Sequence, residues 1–265
     1  MPKSRGWDRD ELFMAMNLYC RLPFGKMHKG NAEIVALANS IGRTPSSVAM
    51  KLGNLASLDP AERARGISGL SKASAADKAI WAEFHNNWEE AVAESSELYD
   101  QRVAATSREQ AIPRLDNLPT DDAIAAKGAG PTETIRSVRV RLAQEFFRRA
   151  VLASYGSRCC VSKIALTELL VASHIVPWGQ YPAQRANPRN GLCLSRLHDA
   201  AFDRGLITFD DQFRLVVSKR LKDHVANRSL EAAFEAHEGK RLALPEKFLP
   251  DQEFLEIHRQ SVFAA

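Results

Sequence analysis

His174, Asn190 and His198 are the residues whose types and order could do chemistry in this sequence. A histidine has an unperturbed pKa of about 6.5, so it can take a proton from water at neutral pH. A neutral imidazole nitrogen can also ligate a divalent metal ion. Asp203, five residues beyond His198, offers a carboxylate to the same ion or else braces the turn at Gly205. Along the chain these three come in the order His, Asn, His. His28, His85, His224, His237 and His258 stand outside this pattern and read as satisfied structural histidines.

The elements that must position these groups are partly visible in the pattern. Leu169–Ala172 is a short apolar run bounded by polar residues, read as the second strand of a hairpin opened by Cys159–Val161. His174 follows that run, and His198 falls in the first turn of a helix. Leu206–Phe209 and Phe213–Val217 flank Asp210–Gln212 as a second hairpin. Before them, a helical pattern from Glu133 to Tyr155 carries Val138, Leu142, Phe146 and Val151 among arginines. Arg136, Arg139, Arg141, Arg148 and Arg149 fall within fourteen residues that hold a single acid, Glu145. Both a solvated helix face and a phosphate-contacting surface fit that run, with Arg139 taken as a DNA contact.

The first hundred residues read as helices. Asp8 and Glu11 form a capping-box pattern ahead of Leu12, Met16 and Tyr19, giving a helix to about Arg21. A second helix starts near Asn31 and stops at Gly42; a third is capped by Thr44 with Pro45 at its first position. Helix, short turn, helix is the outline of a helix-turn-helix, which would put Ser46, Ser47, Met50, Lys51 and Asn54 on an outer, DNA-facing side. A small helical bundle shares the same outline. Further helix runs from about Ala73 to Tyr99, with Ile80, Trp81, Phe84, Trp88 and Val92 as an apolar core stripe. Residues 106–132 lose periodicity and gather Pro113, Pro119, Gly128, Gly130 and Pro131, the composition of a linker.

With 265 residues, 45% of them hydrophobic and 26% charged, the chain is long enough for two packed units and is neither disordered nor fibrous in composition. The net charge of +4 fits a polyanionic partner without requiring one. Cys20, Cys159, Cys160 and Cys193 make no C-x-x-C pair and no disulfide framework, so reduced thiols are expected. Met1 to Trp7 has basic residues but no apolar run behind them, which reads as neither signal peptide nor membrane anchor; a cytoplasmic location is the expectation.

The stretch Ala172–Trp178, then Asn187–Gly191, then Leu197–Gly205, resembles the HNH endonuclease family, in the branch with an A-x-H-I-x-P-W strand and an H-x-x-x-F-D-x-G helix. Residues 7–100 are similar to the N-terminal region that accompanies such domains in restriction endonucleases. The resemblance implies an α+β protein: an N-terminal helical, helix-turn-helix-like unit (1–105) that grips double-stranded DNA, a linker (106–132) and a ββα-metal nuclease unit (133–265). It implies His174 as general base, Asn190 as its support, and His198 as a ligand to a divalent cation, Mg²⁺ or alternatively Mn²⁺, with Asp203 as a candidate second ligand. Asp199 and Arg204 could contact phosphate or simply pair at the surface. Cleavage of both strands needs two sites or two visits, which makes a homodimer a consistent arrangement. Two features depart from the family: Ser173 stands where many members carry a metal ligand, and the structural-zinc positions read Cys159, Ser162, Leu194 and Leu197, so no structural zinc is expected. The departure at Ser173 leaves open an alternative, a DNA-binding regulator on an inactive nuclease fold.

Overall fold

The computed structural model of the chain describes residues 6–61, 73–107, 131–224 and 227–263. The expected linker lies outside the described residues except at its two ends. Local signals set the first three helices. α1 (Arg9–Arg21) begins at Asp8, whose carboxylate accepts the Glu11 N–H while the Glu11 carboxylate accepts the Asp8 N–H. α2 (Ala32–Ser40) is capped by Asn31 and is followed by Gly42 at φ +66°, where a Cβ would be strained. α3 (Pro45–Ala56) is capped by Thr44. The single helix expected over 73–99 is instead two, α4 (Ala75–Asn86) and α5 (Trp88–Ser107). Asn87 divides them: its backbone leaves the helical region and its side-chain oxygen accepts the Glu90 N–H, capping the second helix.

α1 is buried on every side from Glu11 to Cys20, with α2 to α5 and the long α6 (Pro131–Ser154) around it. α6 serves two cores. Ala143, Phe146 and Ala150 join the helical core around α1, while Phe147, Val151 and Leu152 on its other side join the C-terminal core. This division follows from a helix that turns about 100° per residue and carries apolar residues round more than one face.

The C-terminal core is built on two hairpins. β1 (Leu170–His174) pairs antiparallel with β2 (Gly191–Ser195), with Leu170 opposite Ser195 and His174 opposite Gly191. The expected partner strand at Cys159–Val161 is a turn, and Cys160 only donates its N–H to the Cys193 carbonyl. β2 is buried at all five positions, so it lacks the alternation by which a strand is recognised. α7 (Arg196–Asp203) follows directly and packs back on the hairpin. β3 (Ile207–Phe209) and β4 (Leu215–Val217) form the second hairpin as expected. Short helices α8 (Lys219–Lys222) and α9 (Arg228–Ala233) lead to α10 (Gln252–Ser261), which lies on β3.

Two contacts fix the hairpin to its supports. A Cβ on Gly191 would come within 2.3 Å of Val151 Cγ2 and 3.0 Å of Phe147, so only glycine lets α6 sit this close to β2. The ammonium of Lys247, fully buried, donates to the carbonyls of Tyr19, Cys20 and Leu22 at 2.5, 3.2 and 2.6 Å. Those carbonyls end α1 and have few helical donors of their own, so a cation there is doubly favoured. Among the described residues no helix is long and apolar enough to cross a membrane.

Candidate active site

His174 ends β1 with its ring stacked on Phe147 of α6, centroids 3.7 Å apart at 10°, and meets Trp178 edge-on at 5.2 Å. Its Nε2–H donates to the Arg185 carbonyl at 3.0 Å, which leaves Nδ1 with the lone pair and no partner among the described residues. Burial, opposed only in part by that hydrogen bond, lowers the imidazole pKa to about 4, so the ring is neutral at pH 7. The ring borders an open groove of about 440 Å³, lined also by Gln144, Phe147, Arg148, Val171, Ala172 and Trp178.

Asn190 acts on His174 through the intervening loop. Its Oδ1 accepts the Val176 N–H at 2.9 Å, and its Nδ2 donates to the carbonyls of Gln184 (3.2 Å) and Val176 (3.4 Å). Gln184 precedes Arg185, whose carbonyl holds the His174 ring, so the Asn190 amide fixes the loop that fixes the imidazole. Asn190 itself is 1% exposed, which gives its three bonds little competition from water.

His198 does not join them. Ser195, its neighbour on β2, pairs with Leu170 at the far end of the hairpin from His174. Four strand residues separate the two pairs, roughly 13 Å at the usual rise. The His198 ring is 2% exposed and both of its nitrogens are used: Nδ1 accepts from the Ser195 hydroxyl at 2.7 Å, and Nε2–H donates to the Ala233 carbonyl at 2.9 Å. The expected convergence of two imidazoles on one cation, and with it His198 as the metal ligand, is corrected accordingly. Its first-turn position remains, but the helix directs it into the core. Cys159 Sγ lies 4.0 Å from Nδ1. Burial opposes the Cys159 thiolate, yet the close approach of the His198 ring and the hydrogen bonds from Ser162 outweigh it and bring the pKa to about 6.

The residue beside His198 faces the hairpin instead. Asp199 and Asp203, four apart on α7, share one face of that helix. Burial raises the Asp199 pKa, against smaller opposing effects of Ser173, Arg196 and Arg204. Burial and then the Asp199 charge raise Asp203 to about 6. Ser173 lies toward Asp199 from β1, its Oγ buried without a partner of hydrogen-bond geometry. A buried hydroxyl beside Asp199, with a second carboxylate one turn along α7, is a setting that a hard cation would relieve. Among the described residues, however, no three His, Cys, Asp or Glu side chains gather as a metal site. Asp203 had been expected; Asp199 had been left between phosphate contact and surface pairing, although its i,i+4 spacing with Asp203 was there to be read.

The expected DNA contacts are scattered. Lys51 is corrected: it is 7% exposed and its ammonium is bound to Asp77 at 2.7 Å, because the third helix turns it toward α4 rather than outward. Asn54 is half-buried, while Ser46 and Met50 are exposed on the outer side of α3. Arg139 is exposed on α6. Arg204 is exposed after α7 and donates to the Ala200 carbonyl at 3.0 Å.

Residues 159–210 match the family model HNH_2, described as HNH endonuclease. No curated protein matches the chain. The matched segment spans β1, Asn190, β2, α7 and β3, so over residues 159–210 the chain is similar to HNH endonucleases.

Proposed function

We propose that the protein is a divalent-metal-dependent DNA endonuclease of restriction type, with His174 as its general base. The observation that carries this reading is the His174 imidazole, neutral, pinned through Nε2 and lining an open groove, with Nδ1 making no hydrogen bond among the described residues. General-base catalysis contributes roughly 10²- to 10⁴-fold to such reactions. Nδ1 takes a proton from water, the resulting hydroxide attacks phosphorus, and the bond to the 3′ oxygen breaks; that oxygen takes a proton from solvent water, leaving a 5′-phosphate and a 3′-hydroxyl. Asn190 keeps the ring in place during that transfer.

Asp199 and Asp203 fit a hard divalent ion better than His198 does. Mg²⁺ is commonly held by one or two carboxylates, with waters and phosphate oxygens completing its shell, so a three-residue protein cage is not required. When bound, such an ion polarises the phosphate and stabilises the leaving oxygen. Ser173 and His174 are successive residues of β1 and point to opposite sides of it. The outer edge of β1, which has no strand partner among the described residues, is therefore where a phosphate would be reached from both.

The test is plasmid DNA incubated with the full chain and Mg²⁺ or Mn²⁺, with EDTA and His174→Ala as controls. Metal-dependent nicking that His174→Ala lacks is expected. Should the wild type bind plasmid yet nick it no more than His174→Ala, the protein is a DNA-binding module on an inactive nuclease fold.

A further inference from the structure

The groove beside His174 has more polar groups than the chemistry above uses. Gln144 and Arg148 stand one turn apart on α6, and Arg141 continues the same stripe a turn earlier and is exposed. Arg148 is half-buried and spends Nη1 on the Leu170 carbonyl at 3.0 Å, which holds its guanidinium over β1 with its other N–H groups making no hydrogen bond to a described residue. Gln144 is half-buried and makes no hydrogen bond to another described residue. Trp178 walls the opposite side, braced by the Arg185 guanidinium 5.1 Å from its ring and by the Trp178 carbonyl accepting from Arg185 Nε. Arg139 is nine residues, or two and a half turns, from Arg148 and so lies on the far side of α6 from this groove.

We propose that this groove is a subsite for one nucleotide held out of the base stack next to the scissile phosphate, with Arg148 on its phosphate, Trp178 against its base and Gln144 at the base edge. The inference rests on the nuclease reading of His174 and adds to it a form of substrate. Its warrant is size and chemistry together. At about 440 Å³ the groove falls in the range of pockets that enclose small ligands, roughly 300 to 1,000 Å³. A stacked duplex would only lie across such an opening, whereas a single unstacked nucleotide fills it. The lining supplies what a nucleotide needs: an aromatic wall for the base, an amide able both to donate and to accept, and a planar cation for phosphate. Arg141 extends the cationic stripe along the path of the neighbouring backbone.

The experiment uses the full chain in EDTA, so that no cleavage occurs, with a short single-stranded oligonucleotide and the matching duplex, each carrying 2-aminopurine at successive positions. Enhanced fluorescence at one position of the bound duplex is expected, since an unstacked 2-aminopurine is no longer quenched. Trp178→Ala and Gln144→Leu should each weaken single-strand binding, by roughly 10-fold or more for the indole, with thermal unfolding showing that the variants are folded. Gln144→Leu guards against a Trp178→Ala chain that fails to fold. Equal binding by wild type and both variants, a bound duplex with no enhancement at any position, or no oligonucleotide binding at all would each overturn the subsite. Metal-dependent plasmid nicking, measured separately, then tells whether the nuclease reading stands without it.

Discussion

Asp199 and Asp203 carry like charges on one face of α7; burial raises the pKa of both, and the Asp199 charge raises that of Asp203 further. Removing either charge relieves the metal-free protein, so Asp199→Asn and Asp203→Asn are expected to unfold at the same or a slightly higher temperature while losing at least ~10-fold of their metal-dependent nicking. His198→Ala should do the reverse. It strips the Ser195 hydroxyl and the Ala233 carbonyl of a buried partner, which costs about 1 to 3 kcal/mol of stability. Unfolding temperatures and nicking rates measured on the three variants decide the matter; a stable His198→Ala protein that cannot cut would return the ligand role to the histidine. The contrast shows what residue types alone disclose. His174 and Asn190 stand out in the sequence by type and order, and the structure links them through the loop that Asn190 holds. His198 and Asp199 are adjacent, and only the packing of α7 on the hairpin decides which of them turns inward and which meets Ser173. No spacing rule carries that angle.

At the scale of elements, the position of His174 depends on α6 as much as on β1. Phe147 is both the ring beneath His174 and a close neighbour of Gly191. Gly191→Ala would drive a methyl into Val151 and Phe147, so it should cost about 1 to 3 kcal/mol. It should also lower the nicking rate of the folded protein, since the base loses its platform. Denaturant unfolding beside nicking at a temperature where the variant is folded checks both; a variant that is destabilised yet cuts at the wild-type rate would show that Phe147 does not position the ring. The helices around this contact were readable because each begins with its own chemistry: Asp8 with Glu11, Asn31, and Thr44 with Pro45 are local signals that packing had only to accept. The hairpin was not. β2 is buried on both faces, and its partner β1 lies sixteen or more residues before it across an irregular loop, so neither alternation nor a short turn marks the pair. The nearer apolar stretch at Cys159–Val161 therefore looked like the strand.

Across the whole molecule, buried histidines and raised carboxyls pull the pH dependence of stability in opposite directions. His174 and His258 are lowered to about 4 by burial, so between about pH 6.5 and 4 the unfolded chain binds protons that the folded one refuses, and stability falls as pH falls. Asp203, raised to about 6, is protonated first in the folded state and offsets part of that loss between about pH 6 and 4. Asp203→Asn removes the offset, so its unfolding temperature should drop more steeply than that of the wild type over this range; parallel profiles would mean that Asp203 is not held against Asp199 in solution. A second property belongs to the assembly of the two cores. A division at a linker places α6 with the C-terminal unit, but Ala143, Phe146 and Ala150 pack into the core around α1, and Lys247, far along the chain, closes that helix from the other side. The two cores therefore share a helix and a buried cation. Lys247→Met keeps much of the side-chain volume but leaves the carbonyls of Tyr19, Cys20 and Leu22 without their donor in dry surroundings, at a cost of about 2 to 5 kcal/mol. Because the hairpin and α7 belong to the other core, the loss should fall on the α1 side first. Calorimetry is then expected to resolve one cooperative transition into two, with nicking surviving the lower one. A single sharp transition at a reduced temperature would instead show that α6 alone is enough to make the cores unfold together.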